Sequence, residues 1–409
     1  MAKVNTDQHL IAEILNRGVE KIYPASTDLE KKLLSGQILR LYCGFDPSAS
    51  SLHIGNAIAL AKLAQCQRLG HKVIFLIGSF TGMIGDPTDK SAARRQLSRE
   101  EVLQNSVNFQ KQASAYLKFD GDNPAEVRYN NEWHDQLSFK DLISLSANFT
   151  VQQMIQRDMF QKRLLEEKPI FLHEFLYPLA QAYDSVVLDV DLEVGGNDQM
   201  FNMMCGRDLL KALKNKDKNV LTMKLLTDSD GKKMGKSEGN IVMLDADPLN
   251  MYGQVMSWAD GVLASALELC TFIPWSEVQA LIVDLNSEKI SPRDLKMRLA
   301  YEITKINHGE IEAQRAQDNF IRVIQNGEVP ADIEVKTLAA GSYKIIDLIC
   351  NLGLSSSRGE ARRLVEQGGI KIGSEENLAV VTDSQKEIEV KAEMIIQRGK
   401  RQFVKIMTE

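Results

Sequence analysis

Two apolar runs flank a helical segment between residues 38 and 78, and this succession limits the possible folds more than any other feature of the chain. The first run, Ile38–Phe45, precedes Pro47, and the second run is Lys72–Gly78. Residues 55–69 between them are rich in alanine, leucine and isoleucine and end at Gly70, which is typical of a helix. A strand that is apolar along its whole length is typical of a parallel sheet covered on both faces. The segment therefore predicts a strand–helix–strand unit.

Alternation of strands and helices continues to about residue 226. Further strands are predicted at Val127–Trp133, Val186–Val194 and Val220–Leu226, and helices at Ser98–Leu117, Thr150–Glu167 and Asp198–Leu213. Helical patterns dominate after Pro248, and a short helix followed by short strands appears after Tyr343. We therefore predict an α/β fold, in which a Rossmann-like parallel sheet is followed by an all-α domain and a small α+β domain.

The predicted domain boundaries follow these changes in pattern. The Rossmann-like domain covers residues 1–245, with an inserted helical region at about 120–183 and a lysine loop at 228–240. The all-α domain covers residues 246–326. Residues 327–342 are a predicted linker, and residues 343–409 form the small C-terminal domain.

Composition excludes several classes of protein. The chain has 409 residues, with 49 lysines and arginines against 55 aspartates and glutamates, so any contact with nucleic acid must be a local patch. No apolar run approaches the roughly 18 residues of a membrane span. The five cysteines are widely spaced and form no Cys-x-x-Cys motif, which argues against a disulfide framework or a zinc ribbon. We expect a cytoplasmic protein with free thiols and no metal ligands of its own.

The end of a strand and the start of a helix meet within Phe45–Asn56, where Gly55 stands near the first helical turn. Helix N-termini present unpaired N–H groups and a positive partial charge, which suits phosphate. His53 and Asn56 are three residues apart, so they would share one helix face, and both side chains can donate hydrogen bonds to phosphate oxygens. The alternative interpretation is an Asp-Pro turn that caps a helix beside a surface histidine.

A second motif, Gly231–Ser237, combines three lysines, two glycines and a serine in a polar loop. Its spacing does not match a P-loop, because Asp230 stands where the first glycine belongs. We interpret it as a basic loop that clamps a triphosphate and follows its charge as it develops. Taken alone, the same residues would also fit a solvated charged loop.

Together, these two motifs resemble the signature pair of the class I aminoacyl-tRNA synthetases. They stand as His53-Ile54-Gly55-Asn56 and Lys233-Met234-Gly235-Lys236-Ser237, and each departs from the family pattern once, at Asn56 and at Gly235. The resemblance narrows to the bacterial tyrosyl-tRNA synthetases on four further segments, Leu41–Pro47, Gly85–Pro87, Tyr177–Asp184 and Gly195–Gln199. It covers nearly the whole chain.

The resemblance implies a tyrosine site and an ATP site. The phenol hydroxyl of tyrosine would meet Tyr42 and Asp184, its ammonium would meet Asp86, Tyr177 and Gln181, and its carboxylate would lie near Gln199. ATP would contact Gly44, Asp46, Ser48, Gly55, Gly196 and Asp198, and its phosphates would be surrounded by His53, Asn56, Lys90, Arg94, Lys233, Lys236 and Ser237. With Asp184 as acceptor and Tyr42 as donor, both hydrogen-bonding roles of a phenol would be satisfied.

The resemblance also implies a reaction in two steps. The tyrosine carboxylate attacks the α-phosphate of ATP, and a ribose hydroxyl at the 3′ end of tRNA(Tyr) then takes the tyrosyl group from the adenylate. Because the substrate supplies the nucleophile, catalysis would come from positioning and from cations that bind the transition state. Mg²⁺ would accompany ATP, held mainly by phosphates and water. The family pattern further implies a homodimer, with candidate apolar helices between residues 137 and 183.

The C-terminal region resembles a small RNA-binding module that is shared with ribosomal protein S-four. Six basic residues lie at helical spacing or at a predicted hairpin: Arg358, Arg362, Arg363, Arg398, Lys400 and Arg401. Such patches suit phosphate contacts with structured RNA.

Three other functions stay open at this point. A tryptophanyl-type synthetase would share the fold, but indole offers a donor and no acceptor comparable to a phenol oxygen. A small-molecule nucleotidyltransferase of the same superfamily usually lacks the second lysine loop and the RNA-binding tail. A non-enzymatic RNA-binding protein is disfavoured by the intact ATP and amino-acid motifs.

Overall fold

The computed structural model describes residues 4–88, 95–228, 231, 233–234, 241–325, 328–329, 333–375, 377–399 and 402–408. The chain divides into two compact units, Met1–Glu310 and Ile311–Glu409. In the described part of the chain, no helix is long and apolar enough to cross a membrane.

The first unit is built around one mixed sheet. Its strands are β1 (Val19–Tyr23), β2 (Arg40–Phe45), β3 (Lys72–Ile77), β4 (Glu126–Tyr129), β5 (Leu192–Gly196) and β6 (Asn219–Met223). Its helices are α1 (Gln8–Asn16), α2 (Ser26–Leu34), α3 (Ile54–Arg68), α4 (Thr81–Ile84), α5 (Arg99–Ser106), α6 (Phe109–Ala113), α7 (Asn131–His134), α8 (Phe139–Ser146), α9 (Val151–Ile155), α10 (Asp158–Leu165), α11 (Leu172–Leu188), α12 (Met200–Lys214), α13 (Pro248–Met256), α14 (Leu263–Cys270), α15 (Trp275–Asn286) and α16 (Pro292–His308).

Strands follow the order β1-β6-β5-β2-β3-β4 across this sheet. Strands β2 to β6 run parallel, whereas β1 pairs antiparallel with β6 at the edge. The predicted α/β fold with a Rossmann-like parallel sheet is confirmed. Burial on both faces explains the parallel core, because all of β3 after Lys72 is buried and helix α3 packs against β2, β3 and β5.

Two predicted strands have wrong bounds. Strand β4 ends at Tyr129, and helix α7 occupies the remainder of the predicted strand 127–133. The predicted strand 186–194 begins inside α11, which ends where Asp189 adopts a left-handed conformation with φ of 50°. A short apolar run inside a buried helix has the same pattern as a buried strand, so periodicity alone does not separate them. The predicted helices 98–117 and 150–167 are each divided into two shorter helices.

Helices α13 to α16 belong to the same compact unit as the sheet, which runs to Glu310, and the domain boundary at residue 245 stays a prediction. Asp247 and Ser291 accept hydrogen bonds at the N-termini of α13 and α16, and each helix begins with a proline. Arg17, which follows α1, is buried and donates to the backbone oxygens of Glu268, Thr271 and Ile273 at 2.9, 2.7 and 2.8 Å. These bonds satisfy carbonyls around the end of α14 and fix that helix to the beginning of the chain.

The described residues of the second unit form helices and two small sheets. Its helices are α17 (Glu310–Phe320), which continues into a π-helical turn at Ile321–Gln325, α18 (Ile345–Asn351) and α19 (Arg358–Glu366). Its strands are β7 (Glu334–Leu338), β8 (Gly341–Lys344), β9 (Ile370–Ser374), β10 (Asn377–Val381), β11 (Glu387–Val390), β12 (Ile395–Arg398) and β13 (Gln402–Thr408). One sheet has the order β10-β9-β12-β13-β7, and β8 pairs with β11 in the other.

The segment 327–342, which was predicted to be a linker, contains β7 and the first residues of β8. Strand β7 is an edge strand that pairs parallel with β13. Three of its five residues are exposed and none is buried, so it lacks the apolar alternation by which strands are recognised. The two strands that flank the predicted hairpin turn, β12 and β13, pair antiparallel as expected.

Candidate active site

The first sheet reverses its order between β2 and β5. From β2 the chain adds β3 and β4 on one side, and it then returns to place β5 and β6 on the other side. In open parallel sheets, ligands bind outside the carboxyl ends of the strands at such a switch point. Asp46 directly follows β2, and Gly196 ends β5. The topology therefore brings two segments that were predicted to bind ATP to one crevice.

Asp46 ties the end of β2 to two helices. Its Oδ1 accepts a hydrogen bond from Thr81 Oγ1 of α4 at 2.6 Å, and its Oδ2 accepts one from Tyr177 Oη of α11 at 2.8 Å. A Cβ atom on Gly78 would overlap Asp46 Oδ1, so only glycine leaves space for this carboxylate. Tyr177 gives its single hydrogen to Asp46, so its oxygen acts as an acceptor toward any ligand.

Asp86 and Gln199 were predicted to bind the same small molecule, and they contact each other. Gln199 Nε2 donates to Asp86 Oδ2 at 2.7 Å, and Thr88 Oγ1 donates to Asp86 Oδ1 at 2.6 Å. Gln199 Oε1 in turn accepts from Asn202 Nδ2 at 3.1 Å. Both ends of the Gln199 amide are therefore fixed.

Gln181 lies one turn after Tyr177 on α11, so the two side chains share a face of the helix. Its Nε2 donates to Glu193 Oε1 of β5 at 3.0 Å. Because the amide nitrogen is anchored to a carboxylate, the carbonyl oxygen of Gln181 is the part that accepts from a ligand. Two acceptors on one helix face suit a cation such as an ammonium group.

Asp184 is almost fully buried, at 2 % exposure, and has three side-chain donors around it. Its Oδ1 lies 2.9 Å from Trp133 Nε1 and 2.8 Å from His134 Nε2, and its Oδ2 accepts from Asn130 Nδ2 at 3.2 Å. These donors offset the loss of hydration of the carboxylate. Since a carboxylate oxygen accepts, His134 carries a hydrogen on Nε2 in this contact.

Sequence reasoning missed Asn130, Trp133 and His134. The predicted strand 127–133 placed most of this segment in the interior of the sheet, whereas it forms a short helix at the carboxyl end of β4. The pair Asn130-Asn131 was the available signal, because two polar amides directly after a buried strand stand where parallel sheets carry their ligands.

Tyr42 has partners of its own in β2. Its Oη lies 2.9 Å from Ser185 Oγ, and Glu193 is the residue opposite it in β5. Burial, followed by the negative charges of Glu193 and Asp184, raises the pKa of Tyr42 well above its usual range. Tyr42 is therefore neutral and keeps its hydrogen. The fully buried Lys218 pairs with Glu193 and donates to Ser185 Oγ at 2.8 Å, and no motif in the sequence pointed to this lysine.

His53 is the N-cap of α3 and does not lie within the helix, which corrects the prediction that it shares a helix face with Asn56. Asn56 N donates to His53 Nδ1 at 3.3 Å, and His53 N donates to Asn56 Oδ1 at 3.0 Å. This reciprocal pair is a capping box. Because Nδ1 and Oδ1 are acceptors here, a neutral His53 carries its hydrogen on Nε2, and Asn56 donates to a ligand through Nδ2.

The segment after the lysine loop returns to the start of α3. His53 forms an isolated β-bridge with Met243, and Ile54 N donates to the Val242 oxygen at 2.9 Å. Within the loop, Lys233 pairs through Nζ with Asp198, which follows β5. The two signature motifs, about 180 residues apart in the chain, therefore border the same crevice.

For the remaining predicted site residues, the structure gives a position at most. Gly44 and Ser48 are exposed near the end of β2, Gly55 lies in the first turn of α3, and Gly196 ends β5. Lys90, Arg94, Lys236, Ser237, Lys400 and Arg401 lie outside the described residues.

Helix α19 carries the predicted RNA contacts of the second unit. Arg362 and Arg363 are exposed, and Arg358 is exposed while it pairs with Asp347 at 2.7 Å. Arg398 differs, because its Nη1 donates to the Leu354 oxygen at 2.6 Å and its Nη2 donates to Glu360 at 2.8 Å. Hydrogen bonds from Ser356 and Ser355, and then the charge of Arg398, lower the pKa of Glu360 to about 2, so this carboxylate stays ionised.

Comparisons with known proteins lead to one family. The family model for tRNA synthetases class I (W and Y) matches residues 35–325, and the model for a tyrosine–tRNA ligase SYY-like C-terminal domain matches residues 324–406. The chain is 40% identical over 395 residues to the tyrosine–tRNA ligase of Thermotoga maritima, with 96% of each chain covered. It is 42% identical over 382 residues to that of Methylococcus capsulatus, with 93% of this chain and 94% of the relative covered.

Solved structures agree in fold. A C-terminally truncated mitochondrial tyrosyl-tRNA synthetase from Coccidioides posadasii matches with a TM-score of 0.63 and 25% identity, over 76% of this chain and 92% of that one. The tyrosyl-tRNA synthetase of Archaeoglobus fulgidus, solved with L-tyrosine, matches with a TM-score of 0.58 and 20% identity, over 75% of this chain and 98% of that one. The second likeness is one of fold alone.

The contact of Gly78 with Asp46 can be tested by a pair of glycine substitutions. We expect Gly78→Ala to lower the free energy of unfolding by about 1–3 kcal/mol, because the new methyl group displaces a carboxylate that joins β2 to α4 and α11. Gly253→Ala in α13 is the control, since a Cβ there has no atom within 4 Å. The control is expected to be neutral or to gain up to about 1 kcal/mol from helix propensity. Equal stabilities in denaturant unfolding would contradict the assignment of Gly78.

Proposed function

The chain belongs to the class I tRNA synthetases, among their tyrosine–tRNA ligases, and from this premise we propose how its residues activate tyrosine. Such an enzyme joins tyrosine to ATP as tyrosyl-adenylate with release of pyrophosphate, and it then transfers the tyrosyl group to the 3′-terminal ribose of tRNA(Tyr). The observation that carries the residue assignment is the buried Asp184 carboxylate with its donors, next in sequence to the Ser185 that contacts Tyr42.

Asp184 accepts the phenol hydrogen of tyrosine in this proposal. Its Oδ1 already has two donors, whereas its Oδ2 accepts from Asn130 at the longer distance of 3.2 Å, which leaves Oδ2 for the substrate. Tyr42 donates to the phenol oxygen. Phenylalanine supplies neither a hydrogen for Asp184 nor an oxygen for Tyr42, so it forgoes two hydrogen bonds that tyrosine forms, one worth about 0.5–1.5 kcal/mol and the one to the charged carboxylate about 1.5–3 kcal/mol.

The ammonium and carboxylate of tyrosine are bound by groups on α11 and after β3 and β5. The oxygens of Tyr177 and Gln181 accept from the ammonium, since both side chains give their hydrogens to carboxylates, and Asp86 supplies the negative charge. Gln199, which is fixed on Asp86, lies beside the reacting carboxylate. This arrangement holds the nucleophile in place, so no nucleophilic side chain is needed.

ATP binds at the carboxyl ends of β2 and β5 in this proposal. His53 Nε2 and Asn56 Nδ2 donate to its phosphates at the N-terminus of α3, and Asp198 accepts from the ribose hydroxyls. The ion pair of Lys233 with Asp198 holds one lysine of the loop at this site. The lysines stabilise the charge that develops as pyrophosphate leaves the α-phosphorus. Mg²⁺ enters with ATP as part of the substrate, coordinated by phosphates and water.

The RNA contact is proposed for the exposed arginines of α19, which are Arg358, Arg362 and Arg363. Their guanidinium groups suit RNA phosphates. Arg398 supports them from within the fold, because its bonds to Leu354 and Glu360 fix the start of α19. A cytoplasmic location is proposed because tRNA and ATP are found there, and the free thiols of all five cysteines are compatible with it.

We also propose a homodimer that forms through the region before and around the start of α11. Phe139, Ile143, Val151, Leu165 and Leu172 are exposed large apolar residues within 34 residues of sequence, and Leu165 is 86% exposed. Single exposed apolar residues need no explanation, but such a concentration indicates a surface that another chain covers.

The tyrosine assignment predicts a selective loss in Asp184→Asn. We expect kcat/KM for tyrosine in pyrophosphate exchange to fall by about 100-fold, because an amide accepts more weakly and presents N–H to the donor Asn130. The KM for ATP is expected to change little. Asp208→Asn, an exposed position on α12, is the matched control. Exchange tested over all twenty amino acids checks the substrate, and near-normal tyrosine exchange by Asp184→Asn would refute the assignment.

The RNA assignment predicts that Arg362→Ala with Arg363→Ala separates the two steps of the reaction. We expect the double variant to lose about tenfold in kcat/KM for aminoacylation, while tyrosine-dependent pyrophosphate exchange is unchanged. Lys386→Ala with Lys391→Ala removes the same charge from exposed positions outside α19 and is the control. A parallel loss of both activities, or an equal loss in the control, would count against α19 as the RNA surface.

The proposed dimer surface predicts that Leu165→Asp yields a monomer, because a buried carboxylate without a partner is unfavourable in an apolar interface. Val283→Asp changes an exposed apolar residue of α15 and is expected to leave the dimer intact. Sedimentation equilibrium of both variants and of the unaltered chain measures the outcome. A monomeric unaltered chain, or a dimeric Leu165→Asp variant, would contradict the proposal.

A further inference from the structure

A buried polar cluster lies behind Tyr42, and the mechanism above does not use its central member. Lys218 and Ser185 are fully buried and Glu193 is 2% exposed. Lys218 Nζ pairs with Glu193 and donates to Ser185 Oγ at 2.8 Å. A buried ion pair contributes little net stability compared with apolar packing. Stability therefore does not account for a lysine at this position.

The fold makes a specific space for this cluster. Glu193 stands opposite Tyr42 in the register of β2 and β5, and Lys218 directly precedes β6. A Cβ on Gly206 of α12 would lie 2.6 Å from Lys218 Nζ and 2.7 Å from Ser185 Oγ. Only a glycine at this position lets the ammonium and the hydroxyl meet.

The donors and acceptors around Ser185 limit the hydrogen bonds that its hydroxyl can form. The ammonium of Lys218 has donors only, so Ser185 Oγ accepts from it. The single hydrogen of Ser185 then goes either to Glu193 Oε2 at 3.2 Å or to Tyr42 Oη at 2.9 Å. Glu193 is already bound by the ammonium at Oε2 and by Gln181 at Oε1. Ser185 can therefore turn to Tyr42 without leaving that carboxylate unpaired.

The acceptor that Ser185 donates to determines where the Tyr42 hydrogen points. When Ser185 donates to its oxygen, the hydrogen of Tyr42 must point to another acceptor. Glu193 also hydrogen-bonds with Tyr42, but its two oxygens are already bound by Lys218 and Gln181. The phenol oxygen of bound tyrosine is the other acceptor in the proposed site. When no phenol is present, Tyr42 donates to Ser185 instead and Ser185 donates to Glu193. Both arrangements satisfy every member of the cluster.

We propose that Lys218, acting through Ser185, directs the Tyr42 hydrogen to the substrate phenol and thereby sets the selectivity for tyrosine over phenylalanine. The hydrogen bonds run from Lys218 to Ser185, Tyr42, the phenol and finally Asp184, and we call this series of hydrogen bonds the relay. This chain begins at a cation and ends at a carboxylate, so each hydroxyl dipole strengthens the next. Lys218 and Ser185 are positioning residues, and their role rests on the proposed function.

Ser185→Ala is the sharpest test, because it removes the relay hydroxyl and leaves the Lys218–Glu193 pair in place. We expect kcat/KM for tyrosine-dependent pyrophosphate exchange to fall about tenfold, the equivalent of one lost hydrogen bond. Phenylalanine-dependent exchange, measured at high enzyme concentration, is expected to change less than about twofold, because phenylalanine has no hydroxyl for the relay to reach. A merely structural defect would lower both activities by the same factor.

The role of Lys218 can be tested with a double variant that leaves no buried charge without a partner. Lys218→Met combined with Glu193→Gln removes both charges, and the new amide still accepts from Gln181. We expect this double variant to lose the same tyrosine selectivity as Ser185→Ala. Adding Ser185→Ala to it is expected to cause little further loss, because groups in one relay are not additive.

A failure of the relay and a failure of the proposed function give different results in these experiments. Unchanged discrimination in Ser185→Ala, an equal fall with both amino acids, or fully additive losses would overturn the relay alone if the unaltered chain activates tyrosine. An unaltered chain that exchanges pyrophosphate with no amino acid would overturn the proposed function and the relay together.

Discussion

The reversal of strand order between β2 and β5 is the constraint on which the rest of the structure depends. It makes Tyr42 and Glu193 direct neighbours across two parallel strands. It also brings Asp46 and Gly196, which lie at the ends of those strands, to one edge of the sheet. Since side chains alternate between the two faces of a strand, a slip of one residue in this pairing would turn Tyr42 away from Ser185. The crossover that a parallel pair requires also places the N-terminus of α3 at the same edge.

Helix α11 brings three polar side chains of the proposed site to this edge, and an ion pair near its start fixes the helix. Arg163 of α10 is fully buried, and its two terminal nitrogens contact Glu174 at 2.6 and 3.1 Å. Removing one partner of such a pair typically costs about 3–5 kcal/mol, because the other charge is left buried without compensation, so the two residues together fix how α10 meets the first turn of α11. Tyr177, Gln181 and Asp184 follow at spacings of four and three residues, which directs all three to one side. The position of that single helix therefore determines where these polar groups of the proposed site lie.

The sequence predicts features that local backbone geometry sets, and it does not predict contacts that the packing of distant segments sets. His53 and Gly196 lie at turns between strands and helices, where the nature of the turn limits which residues fit, and their motifs were recognised. Trp133 contacts Asp184 across 51 residues and Lys218 contacts Glu193 across 25, and no local pattern encodes either contact. The edge strands β1 and β7 were missed for a different reason, because their partly exposed residues lack apolar alternation.

Exclusion of water from the charged groups of this site has two consequences. It opposes folding, and it makes the proposed recognition of a ligand more selective. Asp184, Glu193 and Lys218 are each at most 2% exposed, so their electrostatic and hydrogen-bonding energies are not reduced by water. A donor or acceptor that finds no partner in such surroundings keeps its full desolvation penalty. In the proposed site, a ligand that carries a hydroxyl adds one hydrogen bond to Asp184 and one to Tyr42, and a ligand with a bare phenyl ring adds neither. The difference between these two ligands is therefore larger in a dry, charged pocket than it would be in a hydrated one, even though an apolar pocket would make the free protein more stable.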